Sequence, residues 1–298
     1  MKTKKMIAPA CLAAALLAGP GPFASAADNT GTSAAQFLKI GPSARMAALA
    51  DSGSALTDDI YAAYYNPAGL ALVGKPTMAA SHTQYVQGAG YQFGSAALPL
   101  ESGGVLAFSV ANLGVEDLER RTQDTDLPVG YFDSSNFAYT LSYGRQLTDR
   151  LAAGASLKQV SVTIDEVSGS ATALDAGLRH EPALILDFPV YWSLAVRNFG
   201  TRMKMGQGRD PLPSAIVLGG MARPRPDLAL TLDLLRYRDA GVIVAAGGEY
   251  TRPITGSMNG VLRAGYSNHR RDIDGNAKIT LGAGLALPGL AFDFAWVP

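Results

Sequence analysis

In FAYTLSYG, residues 137–144, large and small side chains alternate without a break. Phe137, Tyr139, Leu141 and Tyr143 share one parity; Ala138, Thr140, Ser142 and Gly144 share the other. A period of two places successive side chains on opposite faces of a β-strand, so this run predicts a strand with one bulky apolar face and one small or polar face. The pattern returns along the chain. Leu106, Phe108 and Val110 alternate with Ala107, Ser109 and Ala111, and Leu174, Ala176 and Leu178 with Asp175, Gly177 and Arg179. Val190, Trp192, Leu194 and Val196 alternate with Ser193, Ala195 and Arg197, and Leu228, Leu230, Leu232 and Leu234 with Ala229, Thr231 and Asp233. Ile279, Leu281 and Leu285, then Leu290, Phe292, Phe294 and Trp296, close the series.

Turn-forming clusters separate these runs: LPLESGG, QLTDR, EVSGS, RPRPD, RYRDAG, DIDGN and LPG. About thirteen strands are expected from residue 76 onward, a spacing that suits membrane-crossing strands of about 9–11 residues joined by turns. YVQGAGYQ and QLTDRL read as tight connections, residues 115–133 and 201–213 as long ones. Short turns at one end and long loops at the other mark an outer-membrane barrel.

Alternation alone does not say which face is inside, and a soluble sandwich or propeller alternates too. The polar face decides. A soluble sheet would show Lys, Glu and Thr to water; here Ala, Gly and Ser dominate, with isolated charges of both signs. Those charges, Lys158, Asp175, Arg197, Asp233, Glu249, Arg263, Lys278 and Asp293, are expected to face the lumen. Leu141, Tyr143, Trp192, Leu230, Leu281 and Phe294 are then expected to face lipid.

Residues 28–75 do not alternate. Ala-rich stretches with Asp58 and Asp59 at a helix start suggest short helices. Asn66 can cap a helix that begins with Pro67, where the missing N–H costs nothing, and Gly74 before Lys75-Pro76 can end it. A barrel of about fourteen strands is too wide for its own side chains to fill. Residues 28–75 are therefore expected to plug it, with Asn66, Pro67, Ala68 and Gly69 inside, and residues 76–298 to form the wall.

The chain opens with MKTKK, continues with a short apolar run and breaks at Ala24-Ser25-Ala26, so residues 1–26 read as a cleavable export signal. Cys11 lies in that apolar run and is the only cysteine, which leaves the mature chain without disulfide, thiol or Cys-based metal chemistry. Charged residues are 17% of the chain, against about 25% in soluble domains. The 25 basic and 25 acidic residues balance, and no basic cluster offers a footprint for nucleic acid.

Residues 31–74 resemble the N-terminus of the PorV/PorQ proteins of the FadL-like outer-membrane barrels. The matching elements are Ala35-Gln36-Phe37-Leu38-Lys39-Ile40-Gly41, Ala44-Arg45, Asp58-Asp59 and Tyr65-Asn66-Pro67-Ala68-Gly69-Leu70-Ala71. The resemblance implies an all-β transmembrane barrel, antiparallel and FadL-like, of about 14 strands (about 13 in this chain), with a small helical N-terminal plug carrying the Asn-Pro-Ala motif. Two departures stand out. Met46-Ala47-Ala48-Leu49-Ala50 replaces the family's Gly-Met-Gly, which removes the glycines from a tight backbone approach. The family also continues one strand beyond the counterpart of Trp296-Val297-Pro298, so a further C-terminal strand is expected.

No catalytic constellation is visible. His82, His180 and His269 are scattered, no phosphate-binding glycine loop opens a helix, and Asp272–Asn276 reads as a hairpin turn rather than a calcium loop. The expectation is a monomeric, non-enzymatic protein of the bacterial outer membrane without cofactor or metal, with membrane lipid as its partner. The resemblance implies transport or protein secretion with secretion machinery or cargo as partner; the alternative is FadL-like uptake, with a lipophilic ligand in the lumen.

Overall fold

The structure is a computed structural model that describes residues 31–85, 88–124, 127–185, 188–268 and 278–298. Residues 1–30, with Cys11 and the expected export signal, and residues 269–277, with His269, Arg270, Arg271 and the expected turn at 272–276, lie outside the described residues.

The alternating runs form β1 (Thr77–Gln84), β2 (Gly90–Pro99), β3 (Val105–Arg120), β4 (Gly130–Thr148), β5 (Leu151–Ile164), β6 (Val167–Ile185) and β7 (Phe188–Gly200). A small hairpin follows, β8 (Met203–Met205) and β9 (Gly208–Asp210). Then come β10 (Ala215–Arg225), β11 (Leu228–Tyr237), β12 (Val242–Thr255), β13 (Met258–Ser267), β14 (Ile279–Leu287) and β15 (Leu290–Trp296). Thirteen strands make one sheet in chain order from β1 to β15, with β8 and β9 apart. Every neighbouring pair is antiparallel.

Register carries the two-faced pattern across the sheet. Met78, Ala96, Phe108 and Leu141 stand opposite one another on four adjacent strands. One row on are Ala80, Gly94, Val110 and Tyr139, and then His82, Gln92, Asn112 and Phe137. This face turns outward: Leu141 is 49% exposed, Leu281 48% and Phe294 68%, while Leu230, Leu232, Leu157 and Leu174 are exposed as well. The opposite parity is buried, with Ala107, Ser109, Ala138, Thr140 and Ser142 facing inward. An apolar belt outside and small or polar residues inside is the reverse of a soluble sheet.

Polar groups pair on the outer face at the far edge of the belt: on β2 and β3 in the third of those rows, where Asn112 donates to Gln92 (3.2 Å), and on β5 and β6 already in the Tyr139 row, where Thr172 donates to Gln159 (2.9 Å). β4 and β6 run for 19 residues each, longer than the about 10 needed to cross a bilayer. Their surplus stands beyond the belt. This corrects the expectation of a long loop over 115–133: pairing of Leu118 with Phe132 and Arg120 with Gly130 continues the hairpin, past a bulge after Val115. Asp117 absorbs that bulge in a left-handed conformation (φ 55°). Residues 201–213 likewise contain the β8–β9 hairpin rather than open loop.

Residues 33–73 lie against the inward face of this sheet. Tyr61 Oη donates to the Ala80 carbonyl on β1 (3.3 Å), and Thr280 Oγ1 on β14 donates to the Ala48 carbonyl (2.9 Å). The same short segment thus touches both ends of the strand series, with the intervening strands around it. The chain is an all-β transmembrane barrel enclosing its own N-terminal segment.

Candidate functional site

The enclosed segment is a string of short turns. Gln36–Lys39 and Pro67–Leu72 are 3-10 turns, Ala44–Ala47 and Ala62–Tyr65 single α-turns. Ser43 caps the second by accepting from Met46 N. Asn66 has the predicted capping role: its Oδ1 accepts from Ala68 N (3.1 Å) ahead of Pro67. The turn it starts is 3-10 rather than α and ends at Leu72, with Val73 as its cap.

Asn66 is fully buried, and its Nδ2 donates to Leu178 O on β6 (3.1 Å) and Ser54 O (3.4 Å). A buried amide satisfied on both sides fixes the segment against the wall. Pro67, Ala68 and Gly69 are buried beside it. The wall makes room by lacking side chains: a Cβ on Gly144 would lie 2.6 Å from the Pro67 carbonyl oxygen, and one on Gly154 or Gly177 would collide with Pro67 or Asn66. Gly69 is equally confined, because a Cβ there would strike the Thr57 carbonyl.

The departure at Met46–Ala50 is resolved from the other side of the contact. Ala48, Leu49 and Ala50 press against Gly265 and Gly282 of the wall, where a Cβ would overlap their atoms. The close approach survives because the barrel, not the segment, supplies the glycines. Ala50 and Asp51 follow in left-handed conformations (φ 55° and 61°).

The inward charges fall into clusters. In the first, Arg45 from the segment donates through Nε and Nη2 to the two carboxylate oxygens of Glu249 on β12, both at 2.8 Å. Its Nη1 also meets Asp58 (2.8 Å) and Asp59 (3.3 Å). Glu249 accepts a further bond from Arg263 Nε on β13 (2.7 Å), and Arg263 Nη1 reaches Asp293 on β15 (2.6 Å). Charges alternate along this chain, so each desolvated group is compensated by opposite neighbours. Burial works against the Arg45 charge, but Glu249, Asp58 and Asp59 hold its pKa well above the ordinary value. Burial pushes the Asp59 carboxyl up, against the pull of Arg45. Burial likewise raises Tyr61, to about 12.

In the second cluster Lys158 Nζ on β5 sits 2.6 Å from Asp175 on β6 and donates to Asn198 Oδ1 (2.8 Å). Arg197 on β7 donates to Tyr237 Oη (3.3 Å) and lies over the Tyr64 ring. Asp233 on β11 accepts from the backbone N of Ser54 (2.9 Å), tying the segment to that strand as well. Lys278 stands apart: it falls one residue ahead of β14 and is partly exposed.

Two further anchors lie outside the charges expected to face the lumen. Lys39 pairs with Asp239 (2.7 Å), which also accepts from Gln36 (2.8 Å). Arg179 on β6 pairs with Glu181 and donates to the Ala55 carbonyl (3.1 Å). Arg179 shares parity with Asp175 and Gly177, so alternation alone places it inward. The two described histidines lie on the other face: His180 stacks on Trp192 (5.0 Å), and His82 is exposed.

At the long-loop end Phe37 and Leu38 pack with Tyr91, Phe93, Ala111, Ala138, Val160, Met203 and Leu212. Met203, on the β8–β9 hairpin, is buried in this cluster, and Ala34 N donates to Pro211 O (2.9 Å). The cavity left among these residues is about 20 Å³, lined by Phe37, Leu38, Tyr64, Tyr91, Phe93 and Lys158 among others. That is room for a water molecule and no more.

No protein-family model matches the chain, and no curated protein does. Among solved structures, the toluene transporter TodX of Pseudomonas putida is similar at 11% identity over 75% of this chain and 83% of that one, with a TM-score of 0.45. A TodX monoaromatic hydrocarbon channel deltaS2 mutant gives 11% identity, 77% and 84% coverage and a TM-score of 0.47. CdiB from Acinetobacter baumannii gives 13% identity over 69% of this chain and 45% of that one, with a TM-score of 0.39.

Proposed function

We propose that this chain is a non-enzymatic barrel of the bacterial outer membrane, exported by its leader and working with its N-terminal segment seated as a plug. On this reading it is an accessory barrel of the PorV/PorQ type, acting in outer-membrane transport or protein secretion, and its partner is secretion machinery or secreted cargo. The observation that carries the reading is the packing of the segment. Wall glycines touch its backbone, Asn66 and Ser54 bond to three different strands, and the aromatic cluster keeps only about 20 Å³ empty. A barrel filled in this way does its work at its rims and outer surface, and the β3–β6 hairpins standing beyond the belt supply such a surface.

The second reading is FadL-like uptake of hydrophobic small molecules. It is favoured by the apolar lining around Phe37, Tyr91 and Phe93. A gene-deletion strain separates the two. The accessory reading predicts loss of specific proteins from the cell surface or medium with unchanged uptake of a hydrophobic solute such as toluene. Normal secretion with lost solute uptake would replace it with the channel reading.

A further inference from the structure

Among the described residues the outer wall carries a hollow. A groove of about 470 Å³ runs over β1 to β4, lined by Pro76, Met78, Ala96, Leu98, Phe108 and Leu141. Its floor is low because Ala96 stands between Met78 and Phe108 in one row, and Ala80 and Gly94 stand together in the next. A Cβ built on Gly94 would meet nothing within 4 Å. From Leu98, at the short-turn end of the groove, to Gly94, in the small-residue row just beyond its lining, β2 spans about 14 Å. The groove's walls are Met78 on one side and Phe108 and Leu141 on the other, and Leu98 stands at its short-turn end.

The groove lies inside the apolar belt, between the Tyr143 row and the first polar row at Gln92 and Asn112. Water has no polar partner there, and hydrocarbon is the surrounding solvent. At the short-turn end Arg145 continues the outward parity of Leu141 and Tyr143 and is exposed, close to Gly103 in the 100–104 turn. Tyr143 Oη donates to the Gly103 carbonyl (2.9 Å), which holds that turn beside it. Lys75, exposed just ahead of β1, adds a second cation, and Glu101 is the one carboxylate of the turn. The groove thus runs from a net-positive end into an apolar trough.

We propose that this groove is a binding site for an anionic phospholipid, one acyl chain lying along Ala96, Ala80 and Gly94 and the phosphate facing Arg145. An acyl chain is the one abundant solute of the belt narrow and flexible enough for a trough one residue wide, and a guanidinium is well matched to phosphate oxygens. The site is independent of what the barrel transports or binds at its rims.

The test is native mass spectrometry of the full chain in mild detergent, incubated in turn with phosphatidylglycerol and with a diacylglycerol of the same acyl chains. The unaltered protein is expected to retain one phosphatidylglycerol and to prefer it to diacylglycerol. Ala96→Phe fills the trough and should lower retention about tenfold. Arg145→Gln should erase the preference and leave residual chain binding. Ala80→Leu, one row away, serves if Ala96→Phe does not fold, folding being read from heat-modifiable gel mobility. Undiminished retention by a folded trough-filling variant, or equal retention of the two lipids by the unaltered protein, overturns the proposal.

Discussion

Arg45 and Glu249 are 204 residues apart in the chain and share two parallel hydrogen bonds of 2.8 Å, one from each side of the guanidinium fork. This contact joins the enclosed segment to the wall. Removing one partner of a buried pair costs about 3–5 kcal/mol, because the other is left charged and unsolvated. Glu249 keeps its bond from Arg263, so Arg45→Met is expected to loosen the segment by less than that, and Glu249→Gln by less again, since an amide still accepts. Limited proteolysis of the folded barrel checks this: cleavage within residues 33–73 should appear in Arg45→Met and be absent from the unaltered chain.

The wall glycines make a sharper contrast. Gly154→Val should displace Pro67 and open the segment, while Gly94→Ala on the outer face should change stability by no more than about 0.5 kcal/mol. Guanidine unfolding of the two variants in vesicles measures the difference. Equal effects would mean that the inward glycines are not contact points.

Arginine at Leu141 or Leu230 should destabilise the inserted barrel by about 2–4 kcal/mol, the penalty for a charge at mid-belt. Leu141→Phe should be nearly neutral. Arginine at Ser142 is a different experiment, because Ser142 is 1% exposed and bonded to Ser156 beneath the segment. There the cost is overpacking rather than lipid exposure. Unfolding in vesicles at fixed lipid composition reads all four variants.

Acid should free the far end of the segment first. Burial works to raise the Asp239 carboxyl, but hydrogen bonds from Lys39 and Gln36 outweigh it and hold the pKa below its usual value. A depressed pKa contributes stability that is present above the unfolded value, about 3.9, and is lost as pH falls through the folded one. Asp59 runs the other way: its raised pKa favours the protonated form in the folded state, so that contribution is present at low pH and lost as pH rises through the raised value. The protection of the amides at residues 33–40, measured against the intrinsic exchange rate at each pH, should therefore fall in acid. Asp239→Asn should show fast exchange there already at neutral pH.

Much of the architecture is written in residue parity. The alternation at 106–111, 137–144 and 228–234 names both the strands and their outward faces, because a one-residue slip would turn every large side chain inward. Parity also assigns Lys158, Asp175, Arg197, Asp233, Glu249 and Arg263 to the buried side. It does not say which charge meets which. Arg45 lies in a stretch without alternation, and its partner is chosen by how the segment coils inside the barrel. The hairpin extension at 115–120 was hidden by its polarity: beyond the belt the strand no longer needs apolar residues, so Glu116 and Glu119 read as loop. At Met46–Ala50 the compensating glycines, Gly265 and Gly282, lie more than 200 residues later.

Closure of the barrel by the segment is tested most directly by conductance across a planar lipid bilayer. The full chain should insert and leave the membrane current near its baseline. The chain lacking residues 28–75 should insert with the same heat-modifiable mobility and conduct steadily. Equal conductance of the two inserted barrels would contradict the account.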